Sequence, residues 1–282
     1  MHKQPTTTRT GMMSVLGRSP LVHKVVGVLG VYRLANGFLK RLPIVRRIGG
    51  KPVFVRINSV AALALAEELL GDAGYKPALN AYPVRHFIDL GCNVGWFPCL
   101  LASLQFPEKP IGLMIDGDPL VVEAAEWHLE KNGLMDCRVL HGAVGCPDGL
   151  EEVTFHINPS NTQSSIREFG SNHPFPLKGS VRQVSVPCLT VSEEWTRRYG
   201  SQCVDLLKID IEGAELDFLK KESAFLCAQV RRVVCEWHAW HVTLAEIREF
   251  MESRDFRLHS VIEEDEKGGV VVFDNLKQIE AP

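Results

Sequence analysis

The sequence has little of several features that mark particular classes of protein. Its eight cysteines are scattered over 282 residues, and no two of them form a C-x-x-C pair. This spacing predicts reduced thiols in a cytoplasmic protein, with neither a disulfide framework nor a zinc site. No stretch reaches the roughly 18 uninterrupted apolar residues that a membrane-spanning helix needs. A G-x-G-x-x-G pattern is also absent, which disfavours a nicotinamide-dependent oxidoreductase.

Acidic residues are missing from the first part of the chain. Residues 1–66 contain eleven Lys or Arg residues and no Asp or Glu. We therefore divide the chain into a basic, partly helical N-terminal extension over residues 1–50, with two short helices within 20–48, and a main domain over residues 51–282. The extension is interpreted as a solvated appendage on the acidic main domain, and the alternative is peripheral contact of residues 20–47 with an anionic membrane surface. No nucleic acid partner is expected, because the acidic remainder lacks basic residues interleaved with aromatic ones.

Apolar runs typical of buried strands alternate with helical segments from residue 84 onward. This order predicts an α/β fold with a Rossmann-like doubly wound sheet, closed by an antiparallel hairpin over residues 256–274. An insertion over residues 151–187 interrupts the alternation, and we expect it to form a β-hairpin with a long loop that serves as a substrate lid. The other predicted strands cover residues 85–90, 111–116, 137–144, 204–211 and 231–237. The predicted helices cover residues 95–105, 119–132, 191–199, 213–221 and 242–253.

A candidate cofactor-binding turn lies at F-I-D-L-G-C-N-V-G, residues 87–95, where an apolar strand ends in an acid and two glycines. The glycines permit a sharp turn and a close approach of a ligand to the backbone, and the helix that follows presents free N–H groups. An acid before the first glycine suits the ammonium end of a methionine moiety. The predicted cofactor contacts in this turn are Asp89, Gly91, Asn93 and Gly95.

The next two strands supply further candidate contacts. Asp116 ends the strand I-G-L-M-I-D, some twenty residues after the glycine turn, where an acid at a strand tip binds ribose hydroxyls. The run H-G-A-V-G at residues 141–145 ends the strand after that. We expect backbone contacts between Ala143 and an adenine ring.

With these motifs, the chain resembles the FkbM family of methyltransferases over roughly residues 51–275. The motifs that carry the resemblance are F-I-D-L-G-C-N-V-G, M-I-D-G-D-P, H-G-A-V-G, V-D-L-L-K-I-D-I-E-G-A-E at residues 204–215 and V-V-C-E-W-H. The resemblance implies a class I S-adenosylmethionine-dependent methyltransferase fold that acts mainly on hydroxyls of sugars, macrolides or similar metabolites. The sequence departs from the family pattern at Thr190, where the family tends to show an acid, and at Gly117, where it usually carries proline. A non-catalytic S-adenosylmethionine-binding module is the alternative function.

Charged residues at the ends of two later strands form the candidate reaction centre. K-I-D-I-E-G places Lys208, Asp210 and Glu212 on one face of a strand by its period of two, at the edge where doubly wound sheets bind ligands. Glu236 and His238 end the next strand on a shared face. We predict His238 as the general base for a hydroxyl proton, with Asp210 or Glu236 orienting it and Lys208 as a further catalytic candidate. Carboxylates with an imidazole also suit a divalent cation held by Asp210, Glu236 and His238, but the sequence favours a site without metal.

Overall fold

The computed structural model places the main domain and the end of the basic extension. It describes residues 44–48, 51–56, 69, 75, 79, 83–104, 108–158, 164–168 and 181–279. Within those residues the strands are β1 (Ile44–Ile48), β2 (Lys51–Val55), β3 (His86–Leu90), β4 (Ile111–Asp116), β5 (Cys137–His141), β6 (Glu152–Ile157), β7 (Arg182–Pro187), β8 (Val204–Ile209), β9 (Val230–His238), β10 (Phe256–Asp265) and β11 (Gly268–Asn275). The helices are α1 (Trp96–Ser103), α2 (Pro119–Lys131), α3 (Val191–Tyr199), α4 (Glu215–Lys221), α5 (Ser223–Gln229), α6 (Leu244–Glu252) and α7 (Leu276–Ile279).

Seven strands form one central sheet in the order β10-β11-β9-β8-β3-β4-β5. Five neighbouring strands of this sheet, β9, β8, β3, β4 and β5, are parallel to one another. Strand β11 lies between β9 and β10 and is antiparallel to both. The inner strands are apolar along their length because helices cover both faces, and all six residues of β8 are buried. The predicted Rossmann-like doubly wound sheet with an antiparallel closing hairpin is therefore confirmed.

The order of the strands fixes where a ligand site is expected. From β3 the chain builds outward through β4 and β5, then returns to place β8 on the other side of β3. Ligands of doubly wound sheets bind outside the carboxyl ends of the strands at such a reversal. The tips of β3, β4 and β8 are thus the expected edge of the site.

The end of the basic extension differs from the prediction. Helix was predicted within residues 20–48, but Ile44–Ile48 forms β1 and pairs antiparallel with β2. The β-branched residues of I-V-R-R-I favour a strand, and they alternate in burial as a half-buried strand does. The predicted boundary at residues 50 and 51 falls between the two strands of this hairpin, and Ile48, Val53 and Val55 belong to the buried core. The rest of the basic segment 20–47, with its predicted helices and membrane contact, lies outside the described residues, as does the predicted frayed end at residues 1–19.

The insertion forms the predicted antiparallel pair. Strand β6 pairs with β7 over six residues, from Glu152 opposite Pro187 to Ile157 opposite Arg182. A bridge from Ala143 to Cys188 joins this hairpin to the end of β5. The polar and Pro-rich loop of the insertion is described only at residues 164–168, and its role as a lid stays a prediction.

Thr190, where the family tends to show an acid, lies at the beginning of α3. Thr190 precedes α3 and its side chain makes no capping hydrogen bond. A carboxylate from elsewhere serves the helix end instead, because the buried Glu222 accepts hydrogen bonds from the backbone N–H groups of Val191 at 2.6 Å and Ser192 at 3.3 Å. Glu222 lies between α4 and α5, and the second of these helices was not predicted.

All eight cysteines are free thiols, as the sequence predicts, and five of them are buried. In the part of the chain that the structure describes, no helix is long and apolar enough to cross a membrane.

Candidate active site

The first cavity at the sheet edge lies over the tips of β3 and β4. Its volume is about 70 Å³, and it opens to solvent. Asp116, at the end of β4, accepts hydrogen bonds from the backbone N–H groups of Asn93 and Asp118, each at 2.9 Å. These two bonds fix the carboxylate at the cavity wall. Gly91, Asn93 and Asp116 of the predicted cofactor set therefore line one cavity.

Burial changes the acidity of Asp116. Desolvation raises the pKa of this carboxyl to about 7, against the lowering effect of the two backbone hydrogen bonds. A carboxyl with this pKa changes charge near neutral pH, so a ligand that donates hydrogen bonds to it selects the ionised form.

Apolar groups from β5 and the insertion complete the first cavity. Ala143, predicted to contact adenine, lines it together with Gly142 and Val144 beyond the end of β5. Phe155 of β6 and Ile166 of the insertion face them. Apolar walls of this kind are typical of sites for flat aromatic ligands.

Gly117, where the family usually carries proline, lies in the wall of this cavity. A Cβ on Gly117 would lie 2.5 Å from the ring of Phe155. A proline here would collide with that ring, so glycine is what allows the insertion to pack this closely over the tip of β4.

Gly95 does not line this cavity, although it was predicted as a cofactor contact. It precedes α1 with φ 77°, and a Cβ there would lie 2.9 Å from Cβ of Ala125. Its physical role is to let α1 approach α2 closely.

A second cavity, of about 110 Å³, adjoins the first. The two share Gly91, Asn93, Asp210 and Glu212 on their walls. The remaining wall of the second cavity is part aromatic and part charged. It consists of Leu69, Tyr75, Asp89, Cys92, Val94, Trp96, Phe97, Lys208 and Glu236.

Lys208 pairs with two carboxylates at the floor of the second cavity. Its Nζ lies 3.2 Å from Oδ1 of Asp89 and 3.4 Å from Oδ2 of Asp210. Burial alone lowers the pKa of Lys208, but the two carboxylates outweigh it and raise the pKa above its ordinary value. Asp89 is fully buried and lines the second cavity rather than the first. Its predicted contact with a methionine ammonium stays a prediction, now with Lys208 as a competing partner.

The strand that was predicted to carry Lys208, Asp210 and Glu212 is shorter than expected. Strand β8 ends at Ile209, and Glu212 adopts a left-handed backbone conformation with φ 52°. The prediction that period-two spacing extends to residue 212 is therefore wrong. The chain turns at Glu212, yet all three side chains still line the second cavity.

His238 does not fit the predicted role of general base. Its Nδ1 lies 2.8 Å from Oε1 of Glu215, and its Nε2 lies 3.1 Å from Oε2 of Glu212. Burial lowers the pKa of His238, but the neighbouring carboxylates, Glu215 first, overcome this and raise it to about 10. An imidazolium at neutral pH has no lone pair with which to accept a proton.

Glu236 and Tyr75 form a second polar pair in this cavity. The Tyr75 hydroxyl donates a 3.0 Å hydrogen bond to Oε2 of Glu236. Desolvation, followed by the charge of Asp210, raises the pKa of Glu236 to about 7. One ligand atom each from Asp210, Glu236 and His238 lies within 4.8 Å of the others, so the three residues meet as the sequence analysis expected.

Sequence reasoning missed two residues of the site. Nothing in the sequence around Tyr75 indicates that its hydroxyl reaches Glu236, 161 residues later. Glu215 is fully buried behind His238 and also accepts a 2.9 Å hydrogen bond from the N–H of Gly213. Its only signal was its place as the last acid of the motif V-D-L-L-K-I-D-I-E-G-A-E.

Comparisons with known proteins find methyltransferases. A family model described as the methyltransferase FkbM domain matches residues 89–258. Methyltransferase sdnD of Sordaria araneosa is 24% identical over 223 residues, which cover 72% of this chain and 85% of the relative. A putative methyltransferase of Jannaschia sp. (strain CCS1) is 24% identical over 164 residues, which cover 54% of this chain and 55% of the relative.

Solved structures are more distant. The Methanococcus jannaschii fibrillarin pre-rRNA processing protein is 12% identical with a TM-score of 0.47, and the match covers 82% of each chain. TrmK of M. capricolum in complex with S-adenosyl-homocysteine is 11% identical with a TM-score of 0.41, and the match covers 68% of this chain and 62% of that one.

Proposed function

The chain belongs to the FkbM family of S-adenosylmethionine-dependent methyltransferases, and we propose that it transfers the methyl group to a hydroxyl oxygen of a sugar, a glycan or a secondary metabolite. The observation that carries this proposal is the meeting of two cavities at Gly91, Asn93, Asp210 and Glu212. One cavity suits the methyl donor and the other suits an acceptor. A methyl group that crosses between them passes beside Asp210.

The first cavity supports binding of the donor. Asp116 is positioned to accept hydrogen bonds from ribose hydroxyls, and the apolar walls formed by Ala143 and Phe155 suit an adenine ring. Gly91 allows the ligand to lie directly against the turn that follows β3. The adenosyl group would thus span the tips of β4 and β5, with its sulfonium toward the second cavity.

The second cavity supports an acceptor with an apolar body and a hydroxyl group. Trp96 and Phe97 belong to the buried core and give one side of this cavity an apolar wall. In the reaction the acceptor oxygen forms a bond to the methyl carbon, the carbon–sulfur bond breaks, and sulfur keeps the electron pair. The hydroxyl proton passes to a carboxylate of the cavity wall, formed by Asp210, Glu212 and Glu236. The products are S-adenosylhomocysteine and a methyl ether.

Methyl transfer from unlabelled S-adenosylmethionine tests this proposal. We expect purified protein with S-adenosylmethionine to add 14 daltons to a hydroxylated metabolite in a mixed extract, because CH₃ replaces H. The variant Asp116→Asn, which keeps the shape of the side chain, should lose most of this activity at limiting donor concentration. Donor binding without transfer to any hydroxyl in single-turnover reactions would favour the non-catalytic module instead. Transfer to nitrogen or carbon would overturn the hydroxyl assignment.

The acidity of Asp116 predicts a pH dependence of cofactor binding. Its folded pKa, raised to about 7, lies above the ordinary value. The carboxylate that ribose hydroxyls require is therefore present above pH 7 and is lost as the pH falls through 7. We expect the affinity for S-adenosylhomocysteine to fall about 10-fold from pH 8 to pH 6, with protons released on binding at pH 7. The charged groups near this carboxyl are Asp89, Asp118, Asp210 and Glu212, with Arg182 paired to Asp118.

Calorimetry in buffers of different ionisation enthalpy measures both the affinity and the protons released. Asp116→Asn should bind about 10- to 100-fold more weakly at pH 8, because it loses charge-assisted hydrogen bonds, and its affinity should not change over this pH range. An affinity of the unaltered protein that is the same at pH 6 and pH 8 would contradict the assignment of Asp116.

A further inference from the structure

His238 has an arrangement that a general base does not need. Its imidazole is about nine-tenths buried, and Nδ1 is hydrogen-bonded at 2.8 Å to Oε1 of the fully buried Glu215. Glu215 is itself held by the backbone N–H of Gly213. A buried carboxylate that receives Nδ1–H fixes the tautomer and the direction of the ring, and the same arrangement stands behind most metal-bound histidines.

The other ring nitrogen faces carboxylates without a well-formed hydrogen bond. Nε2 of His238 lies 3.1 Å from Oε2 of Glu212, but this oxygen is buried and has no hydrogen-bond partner. The contact is therefore an ion pair with poor alignment. Ligand atoms of Asp210 and Glu236 lie within 4.8 Å of the imidazole and of each other. Nε2 thus points into a group of oxygens that it does not satisfy.

The charge of the surroundings is unbalanced. Among the described residues, two cationic side chains, Lys208 and His238, face a larger set of carboxylates, and most of these are buried or half-buried. The carboxylates are Asp89, Asp210, Glu212, Glu215 and Glu236. Buried charges are retained in proteins when they are paired or bind metal ions. With all of these groups ionised, the carboxylates outnumber the cations, so a cation at the centre of the group would balance the charge.

We propose that Asp210, Glu236 and His238 Nε2 bind a divalent cation, with Glu215 as the residue that positions His238. Two carboxylates and one imidazole suit a transition-metal ion such as Mn²⁺ and leave coordination positions for water or an acceptor oxygen. In the protein without the ion, the imidazolium proton and its contact with Glu212 take the place of the cation. Because Nε2 must be unprotonated to coordinate the ion, binding would release its proton to solvent and break its contact with Glu212.

The catalytic role of the proposed ion rests on the proposed function, whereas its binding does not. An ion beside the second cavity would polarise the acceptor hydroxyl and lower its pKa. The proton would then pass to Glu212, and the methyl carbon would bond to an oxygen that the ion stabilises. Lys208 stays paired with Asp89 in this arrangement.

Titration of the full chain, stripped of metal, with Mn²⁺ tests the site by electron paramagnetic resonance of the free ion. We expect one Mn²⁺ per chain, displaced by excess Zn²⁺, which binds nitrogen and oxygen ligands more tightly. His238→Gln should weaken binding at least about 10-fold, and Glu215→Gln about 10- to 100-fold. The matched control is His259→Gln, because His259 also lies 2.9 Å from a carboxylate, that of Asp274, but outside the site. It should bind Mn²⁺ like the unaltered protein.

Independent readouts separate failure of this proposal from failure of the proposed function. Each variant is first checked for its melting temperature and for S-adenosylhomocysteine binding, and Asp210→Asn replaces His238→Gln if the latter does not fold. The site is overturned if the unaltered protein binds no Mn²⁺, or if these variants bind it equally well. Methyl transfer that persists in excess chelator would overturn the role of the ion while leaving the methyltransferase assignment intact.

Discussion

Replacing Gly91 with alanine is expected to destabilise the protein by about 3–5 kcal/mol, since it combines a left-handed backbone with a severe overlap. Gly91 has φ 70°, and a Cβ there would lie 1.7 Å from the carbonyl oxygen of Asp210. That oxygen belongs to the backbone, so no side-chain rotation relieves the contact. Urea unfolding followed by circular dichroism measures the change in the free energy of unfolding.

Gly149 provides the matched control. It has φ 78°, but nothing lies within 4 Å of the position that a Cβ would take. Gly149→Ala therefore reports the cost of the left-handed conformation alone, about 1–2 kcal/mol. Equal losses in the two variants would show that the close approach of the turn after β3 to the end of β8 does not exist in solution.

Replacing Lys208 with methionine is expected to lower the free energy of unfolding by about 3–5 kcal/mol at pH 7. The substitution keeps the apolar stem but leaves Asp89 buried without its cationic partner. Burial already raises the pKa of Asp89, and loss of Lys208 raises that pKa further. A neutral carboxyl tolerates burial, so the destabilisation should be smaller at pH 5 than at pH 7. Urea unfolding at the two pH values measures this difference.

A double variant distinguishes loss of the pair from loss of packing. Lys208→Met combined with Asp89→Asn removes both charges, and it should recover most of the stability that Lys208→Met loses. Lys131→Met serves as control, because its pair with Glu130 is exposed and contributes less than about 1 kcal/mol. If the double variant were no more stable than Lys208→Met alone, the ion pair would not explain the loss.

The sheet was predictable from the sequence because its strands are buried on both faces. Apolar runs as regular as those of β4 and β8 leave few alternatives, and the observed strand at Ile111–Asp116 begins and ends at the predicted residues. The beginning of the chain gave a weaker signal. Ile44–Ile48 is short and basic, so local pattern did not separate the strand from a helix, and its pairing with Lys51–Val55 decided the outcome.

Site residues at strand tips were predictable to the extent that chain order fixes them. Asp116, Asp210 and Glu236 meet at one sheet edge because parallel strands end there. The partners of each side chain were not predictable, since they depend on distant contacts. His238 was predicted to be a base because the sequence does not show that Glu215 contacts its Nδ1. Glu215 lies on α4, after a turn whose direction the sequence pattern does not specify.

The central claim is that the first cavity binds the methyl donor with its sulfur directed toward the second. A crystal structure of the full chain with S-adenosylhomocysteine tests this most directly. The account predicts ribose hydroxyls within hydrogen-bond distance of Asp116, the adenine ring between Ala143 and Phe155, and the sulfur next to Asp210. Adenosine bound away from Asp116, or sulfur directed away from the cavity of Lys208 and Glu236, would contradict it.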